Sequence, residues 1–407
     1  MIGKPIPWYY SITLGGLFVA FIILTFMLFM KPSLVVVVLH AIVLTALLTI
    51  LVLVVLNMIA KCACDSLHCG MLNECGVRCG CREQQVCIDG LCVSEMIVAL
   101  GRSDLPTQSV MYSIDGGETF RRATIPSFNY DHTDPKSGLF DIDYNPTNHT
   151  FIIAGTELEG DGGAYHAITL RSTDYGLTWQ KQVYHNLVSG NTITFSSSTN
   201  TWFLGGQRTS DNHTCILQAD KSSAFTKEVG PPDTDNCTSL IWDSFYKYVW
   251  AVCDGAIYLT KDNGKSWDVF APTPPSEVEQ LYYSQAFHRL YTLPNMDYID
   301  GSLFAREVEW ATDTTGIDED VLGCSEAANT IVAAGMYIFA SNNGIAFTST
   351  TDVGDVTSIT YSSAFARWVA GTEGSLWWSS NLQQWSEVQA KFMYGCHYLK
   401  TFHIQDN

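Results

Sequence analysis

One eight-residue pattern recurs along the chain and constrains its fold more than any other feature. In the full copies a small residue, usually Ser or Thr, precedes Asp or Asn, then Gly, then a closing aromatic residue. The clearest copy is STDYGLTW, from Ser172 to Trp179. The others are SIDGGETF from Ser113, TKDNGKSW from Thr260, a degenerate ASNNGIAF from Ala340 and a shortened SSNLQQW from Ser379.

Each position of this pattern suits a tight turn that leads into a strand. Asp and Asn bond to the backbone two residues on, Gly adopts a positive φ, and the aromatic residue anchors the next strand in a core. The predicted structural positions are Asp115, Gly117, Phe120, Asp174, Gly176, Trp179, Asp262, Gly264, Trp267, Asn342, Gly344, Phe347, Asn381 and Trp385.

The pattern resembles the Asp-box, or BNR repeat, of sialidases, sortilin-type receptors, some glycoside hydrolases and photosystem-assembly propellers. In those families the box marks the turn between the third and fourth strands of a propeller blade. The resemblance therefore implies a β-propeller, and it implies that the box residues are structural and not catalytic.

A second repeated pattern, a two-stranded hairpin, precedes each box or its remnant. Examples are FDIDYNPTNHTFIIAGT from Phe140 and TSITYSSAFARWVAGT from Thr357. The intervals between box-closing aromatics run from 59 down to 37 residues, near the period of four-stranded blades. These aromatics are Phe120, Trp179, Phe225, Trp267, Trp310, Phe347 and Trp385. The repeats predict an all-β fold, a seven-bladed Asp-box β-propeller over residues 94–407.

The two ends of this region predict how the ring closes. EMIVALG, from Glu95, matches the second strand of a repeat and has no first strand before it. KFMYGCHYL, residues 391–399, matches a first strand, with Tyr394 and Cys396 at the places of Ile142 and Tyr144. We expect the carboxyl-terminal strand to complete blade one and so to remove free sheet edges.

Two long apolar runs precede the repeats, and they account for a charged fraction of only 15%. Residues 8–30 carry no charge, and residues 34–60 are apolar but for one His, one Asn and two Thr. Each exceeds the roughly 20 residues that cross a bilayer, so residues 1–61 are predicted to form a transmembrane helical hairpin. The alternative is a cleaved signal peptide followed by one anchor, but the first run is long and lacks a small-x-small site.

Eight cysteines follow within residues 62–93, a density typical of a disulfide module in an oxidising compartment. A zinc site is the alternative, but C-x2-C pairs do not recur at finger spacing. The pairing of these residues stays open: Cys62, Cys64, Cys69, Cys75, Cys79, Cys81, Cys87 and Cys92. The end of the module weakly resembles small cysteine modules of exported proteins and of some large-DNA-virus membrane proteins.

Three sequons, at Asn148, Asn212 and Asn236, agree with a propeller on the exoplasmic, luminal or virion-exterior side of the membrane. The charges beside the hairpin give no support through the positive-inside rule. Within the propeller, Cys237 and Cys253 flank one hairpin and are candidates for a disulfide, with Cys215 as a competing partner.

The sialidase resemblance raises the possibility of a glycosidase, which would need an arginine cluster, a Tyr–Glu nucleophile pair and an Asp acid/base. The arginines are scattered, and FRRATIP from Phe120 follows its box instead of preceding it. A net charge of −19 argues against nucleic acid. The acidic loops at 157–163 and 313–320 are candidates for calcium, but neither has the spacing of a known calcium loop, so we expect a solvated acidic surface and no cofactor.

The sequence therefore favours a non-enzymatic, membrane-anchored structural or binding protein. Its expected partners are the lipid bilayer and either protein subunits of a shell or complex, or glycans. One setting is a virion membrane or capsid-associated protein of a large DNA virus. The alternatives are an exoplasmic receptor or assembly factor, and then a sialidase-like glycosidase.

Overall fold

The computed structural model describes residues 86–404 and the isolated residues 25, 44, 45 and 49. The gaps are 89–90, 104, 132, 161–162, 210–212, 221–223, 232–233, 235, 271–277, 300–316, 318–320, 328, 351–352, 391 and 393–395. The chain divides into two compact units, with the boundary between Val93 and Ser94.

The first unit contains one described hairpin, in which β1 (Val86–Ile88) pairs antiparallel with β2 (Leu91–Val93). Its register sets Cys87 opposite Cys92, and Cys92 is disulfide-bonded. Cys62, Cys64, Cys69, Cys75, Cys79 and Cys81 lie outside the described residues.

The predicted spans at 8–30 and 34–60 also lie outside the described residues, except for the four isolated positions. Within the part of the chain that the structure describes, no helix has the length and apolar character needed to cross a membrane.

The described residues of the second unit form strands, turns and one short 3-10 helix, Pro106–Gln108. Its strands are β3 (Glu95–Gly101), β4 (Val110–Ser113), β5 (Arg121–Arg122), β6 (Gly138–Asn145), β7 (Thr150–Leu158), β8 (Tyr165–Ser172), β9 (Gln180–Tyr184), β10 (Leu187–Ser196), β11 (Thr201–Arg208), β12 (Thr214–Ala219), β13 (Lys227–Glu228), β14 (Cys237–Asp243), β15 (Tyr248–Cys253), β16 (Ala256–Thr260), β17 (Asp268–Val269), β18 (Gln280–Ser284), β19 (Arg289–Leu293), β20 (Tyr298–Ile299), β21 (Gly323–Ala327), β22 (Thr330–Ala334), β23 (Ile338–Ser341), β24 (Thr348–Ser349), β25 (Val356–Ser362), β26 (Arg367–Thr372), β27 (Leu376–Ser379), β28 (Ser386–Glu387) and β29 (Cys396–His403).

Among the described residues these strands form seven antiparallel sheets, six of four strands and one of three. We number the sheets as blades 1 to 7: β29-β3-β4-β5, β6–β9, β10–β13, β14–β17, β18–β20, β21–β24 and β25–β28. The first strands of neighbouring blades lie side by side, and Ser284 of β18 donates to Glu326 of β21 between blades 5 and 6. The result is a β-propeller-like ring of sheets.

The burial of each strand follows from its place in this ring. Neighbouring sheets pack face to face, so the second strand of a blade is covered on both sides and reads as a continuous apolar run. All seven residues of β3 are buried, for example. The fourth strands lie at the rim, where β5, β13, β17, β24 and β28 are exposed two-residue strands.

The ring closes through β29, the last of the described strands, which pairs antiparallel with β3 and sets His403 opposite Glu95. The described strand covers Cys396–His403, and residues 391 and 393–395 of the first strand that the sequence pattern predicts over 391–399 lie outside the described residues. A β-bulge after Cys396 aligns this residue with Leu139 of β6, which also precedes a bulge, and not with Tyr144. Apolar alternation continues through both segments, so the pattern alone does not fix the register.

Candidate functional site

The two ends of the blades form two different faces. One carries the turns from first to second strands and the box turns, and we call it the turn face. The other carries the loops from second to third strands and the connections between blades, and we call it the loop face. The loop face holds the longer segments, such as residues 123–137 between β5 and β6.

The box at Ser172 shows how its residues build a turn. The Ser172 hydroxyl donates to Asp174 Oδ1 at 2.8 Å and accepts from the Gly176 amide at 2.9 Å. Asp174 Oδ1 also accepts from the Thr178 amide at 2.9 Å. Tyr175 and Gly176 both have positive φ, 59° and 78°. The hydroxyl and the carboxylate thus hold two successive left-handed residues in place.

Two further boxes repeat this geometry. Asp115 Oδ1 accepts from Ser113 at 2.8 Å, and Asp262 Oδ1 accepts from Thr260 at 2.9 Å. Hydrogen bonds from Ser266 lower the pKa of Asp262 to about 2. At Asp174, burial alone would raise the pKa of the carboxyl group. Hydrogen bonds from Thr178 and Ser172 outweigh burial, so the pKa lies below its ordinary value.

The box at Ser341 differs from the sequence prediction, which gave the acceptor role to Asn342. In the structure Asn343 has this role: its Oδ1 accepts from Ser341 Oγ and from the amides of Ile345 and Ala346, each at 2.9 Å. The Asn342 carboxamide instead accepts from Thr330. This turn has one left-handed residue where the full boxes have two, so the acceptor directly precedes Gly344.

The shortened box at Ser379 uses the same one-residue turn. Asn381 Oδ1 accepts from the amides of Gln383 and Gln384, both at 3.0 Å. Leu382 occupies the left-handed position with φ of 62°. Leu382 is not branched at Cβ, so it can adopt this left-handed conformation at a modest energetic cost.

The closing aromatics pack between blades. Phe120, Trp179 and Phe347 are buried, whereas Trp267 and Trp385 are half-buried. Phe225 is buried as well, and Trp310 lies outside the described residues.

Each described box glycine lies against the second strand of the preceding blade. A Cβ at Gly176 would lie 3.7 Å from Met96 Sδ, one at Gly264 3.2 Å from Phe203, and one at Gly117 2.4 Å from Val369. Gly344 similarly faces Tyr291. The boxes therefore contribute to the contact between blades as well as to the turn.

A channel with a volume of about 560 Å³ runs between the first strands of the blades. Its lining includes carboxylates, one lysine and tyrosine rings: Asp141, Asp143, Glu326, Lys400, Tyr282 and Tyr361. His397, whose side chain is exposed, also lines it.

Side chains that follow the bulges of the first strands link one blade to the next. Asp141 Oδ2 accepts from the Thr192 hydroxyl and from the Ile193 amide, both at 2.9 Å. Thr192 Oγ in turn accepts from the Leu240 amide at 2.9 Å. The same hydrogen bond recurs at two other boundaries between blades: the Leu281 amide donates to Ser239 Oγ, and the Leu399 amide donates to Ser358 Oγ.

Charged groups link blades 1, 2 and 3 at the same level. Lys400 Nζ donates to Asp143 Oδ1 at 2.9 Å, and Asp143 Oδ2 accepts from the Phe195 amide at 2.7 Å. Burial alone would lower the pKa of Lys400, but Asp143 and Asp141 raise it further than burial lowers it. Burial raises the pKa of Asp141 in spite of Lys400.

Two glutamates hold turns of the preceding blade. Glu326 accepts from Ser284 and from the Gln285 amide, the latter at 2.9 Å. Glu95 accepts from the hydroxyl and the amide of Ser363, at 3.0 and 3.1 Å. Each carboxylate thus accepts hydrogen bonds from a turn of the neighbouring blade.

The residues of this channel were not singled out from the sequence. The available signal is a polar residue inside an otherwise apolar first strand, as in FDIDYN at Phe140. The partners of Asp141 lie about 50 positions away along the chain. These contacts can therefore be recognised only when the arrangement of the blades is known.

The propeller cysteines whose side chains the structure describes are free thiols. Cys237 and Cys253 lie directly opposite each other in β14 and β15, both fully buried, and the bridge considered for them is not formed. Cys215 lies in β12, opposite Gly206. Burial raises the pKa of Cys396 to about 12 and also raises that of Cys324.

The sequons occupy different environments. Asn148 is exposed at the tip of a turn on the turn face. Asn236 is half-buried, and its Oδ1 accepts from Asn191 Nδ2 at 2.8 Å. Asn212 lies outside the described residues.

The acidic loop at 157–163 has local partners for its described carboxylates. Glu157 accepts from Lys181 at 2.8 Å, and Glu159 pairs with His166 at 2.8 Å. The loop at 313–320 lies outside the described residues except for Ile317. Among the residues that the structure describes, no three His, Cys, Asp or Glu side chains are grouped to bind a metal ion.

The fold and the channel define a β-propeller-like class of protein. The sequence matches no protein family model and no curated protein. A protein of known crystal structure from Lactobacillus plantarum has a similar fold, with a TM-score of 0.55 and 9% identity over 76% of this chain and 99% of its own. A GH74 enzyme from Niastella koreensis matches with a TM-score of 0.41 and 12% identity, over 74% of this chain and 56% of its own.

Proposed function

We propose that this chain is a membrane-anchored, seven-bladed Asp-box β-propeller that acts as a non-enzymatic scaffold or binding protein. The observation that carries this proposal is the state of the channel carboxylates. Asp141, Asp143 and Glu326 each accept at least two hydrogen bonds from a neighbouring blade.

Carboxylates held in this way are poorly suited to acid or base catalysis. A general acid or base must exchange a proton with a substrate within hydrogen-bond reach, so its oxygens need room for that substrate. Here the same oxygens satisfy backbone amides and hydroxyls between blades, and moving them would leave those donors without acceptors. A structural role for these groups follows from that arrangement.

The anchoring part of the proposal rests on the two apolar runs at 8–30 and 34–60. The disulfide at Cys92 supports an oxidising environment for the segment that precedes the propeller. The partners proposed for the propeller are subunits of a shell or a membrane complex, with a virion membrane of a large DNA virus as the setting. An exoplasmic receptor for protein or glycan ligands is the alternative.

Crosslinking mass spectrometry on the native membrane or particle would test this proposal. A scaffold gives crosslinks from the propeller to the same abundant subunits at constant stoichiometry. Sparse crosslinks without fixed neighbours would favour a receptor. Hydrolysis of sialosides or other glycosides by the purified chain, abolished in Asp143→Asn, would overturn the non-enzymatic assignment.

A further inference from the structure

Both ends of the propeller lie on the turn face. The Ile404 amide donates to the Ser94 carbonyl at 2.9 Å, so the first and last described residues of this unit are adjacent. Glu95, one residue further, bonds to the turn that begins at Ser362 in blade 7. The chain that carries the two predicted spans therefore enters the propeller on this face.

The turn face also differs from the rest of the protein in charge. Its described turns and boxes, with the strand residues directly beside them, carry eight acidic and seven basic side chains, whereas the whole chain has a net charge of −19. The acidic residues are Glu95, Asp115, Glu118, Asp174, Asp220, Asp243, Asp262 and Asp268, and the basic residues are Arg121, Lys227, Lys247, Lys261, Lys265, Arg289 and Arg367. Most of the excess negative charge thus lies elsewhere, so anionic lipid headgroups repel this face less than they would repel the more acidic parts of the chain.

Aromatic residues project from the tips of these turns. Phe245 is 60% exposed and contacts the rings of Tyr246 and His288, with centroids 4.8 and 5.3 Å away. Phe365 occupies a corresponding turn in blade 7 and is 41% exposed. Lys247, beside this group, is exposed too. Aromatic rings with nearby lysines are the combination that membrane interfaces favour.

From these three observations we infer that the turn face lies against the lipid headgroup region, with Phe245 and Phe365 as the contacting side chains. The loop face is then directed away from the membrane and is the surface available to other proteins. This inference rests on the proposed membrane anchor. Beyond the anchor, the inference specifies the orientation of the propeller and the side chains that contact lipid.

Site-specific photocrosslinking tests the inference on the full chain. A benzophenone-bearing phenylalanine analogue is incorporated singly at position 245 or 365, and at the control positions 336 and 337. Met336 and Tyr337 are suitable controls because they are also exposed, at 55% and 41%, but lie on the loop face. Each protein is reconstituted in phosphatidylcholine–phosphatidylserine liposomes, irradiated, and analysed for lipid adducts by mass spectrometry.

We expect lipid adducts at 245 and 365 and none at 336 or 337. Adducts at the control positions, or at 245 only to a second copy of the chain or to its glycans, would overturn the inference. Phe365 packs on Gly116, so position 245 decides the result if the analogue at 365 prevents folding.

Alkaline carbonate extraction of the same liposomes tests the proposed membrane anchor separately from the proposed orientation of the propeller. A chain that resists extraction but gives no adduct at 245 keeps the proposed anchor and refutes the orientation. A chain that carbonate removes refutes the anchor and the orientation together.

Discussion

Arg367 joins the last blade of the ring to the first through the box of Asp115. Its Nη1 donates to the Asp115 carbonyl at 3.1 Å, and its Nη2 pairs with Glu118 at 2.7 Å. The guanidinium also lies 4.6 Å from the centroid of the Trp378 ring. Arg289 makes the corresponding contact with the Asn343 carbonyl between blades 5 and 6. The same device therefore recurs at two boundaries between blades.

Replacing Arg367 by Ala should destabilise the ring at the boundary between blades 7 and 1. The carbonyl bond and the ring contact are lost together, and we expect a cost of about 1–3 kcal/mol. Glu118→Ala is the matched control, because an exposed ion pair contributes only about 0–1 kcal/mol. Thermal melting of the full chain in detergent, followed by near-UV circular dichroism, measures both. Equal effects of the two variants would contradict the role given to the carbonyl bond.

Trp179→Ala should cost about 3–5 kcal/mol, as for other truncations of large core side chains. The ring is buried, and its Nε1 donates to the Gly176 carbonyl at 2.9 Å, so both packing and a turn bond are lost. Trp179→Phe keeps most of the packing and should cost less. An unchanged melting temperature in the Ala variant would show that the box aromatic is not part of the core.

Acid should weaken the turn that the ionised Asp262 carboxylate holds in place. The folded-state pKa of Asp262 is about 2, below its ordinary value of 3.8. Its ionised form is thus favoured by folding, and this stabilisation is present above pH 3.8 and is lost as the pH falls toward 2.

The measurement is the melting temperature of the wild type and of Asp262→Asn between pH 5 and pH 2. The difference between the two proteins should shrink as the pH falls. A difference that stays constant over this range would mean that the ionised carboxylate is not what stabilises the turn.

Asp141→Ala should destabilise the protein by about 2–4 kcal/mol, since it leaves the Thr192 hydroxyl and the buried Ile193 amide without their acceptor. Asp141→Asn retains an acceptor and removes a buried charge, so its cost should be smaller. Denaturant titration of the three proteins gives the comparison. A larger loss in the Asn variant than in the Ala variant would show that the charge itself is needed.

Cys237, Cys253 and Cys396 should resist alkylation in the native protein and react after unfolding. All three are buried, and burial raises the pKa of Cys396 to about 12, so little thiolate is present to react. Mass spectrometry after alkylation under native and denaturing conditions checks this. A Cys237–Cys253 bridge in a non-reducing digest would instead show that the free thiols of the structure become oxidised.

The all-β class follows from the sequence because its signals are local. A box such as STDYGLTW specifies its own turn through Asp174 and Gly176, and repetition at blade spacing makes an array of sheets the consistent interpretation. Neighbouring residues carry this information, so it can be read without a structure.

The register of β29 and the acceptor in the degenerate box could not be read in the same way. Asn342 and Asn343 are adjacent and identical, and only the number of left-handed residues in the turn decides between them. The register of β29 depends on a bulge after Cys396 that the apolar pattern does not mark. The hydrogen bonds between blades in the channel could not be predicted from the sequence because their partners, such as Asp141 and Ile193, lie on different blades.

Pairing between β29 and β3 also sets an order of events during synthesis. Among the described strands of the ring, the one that completes blade 1 is the last to leave the ribosome, whereas its partner β3 is the first to emerge. Until residues 396–403 arrive, β3 presents an open edge of unpaired amides and carbonyls. A chain cut short by even this one strand cannot close, and its exposed edge marks it for aggregation or for removal by quality control.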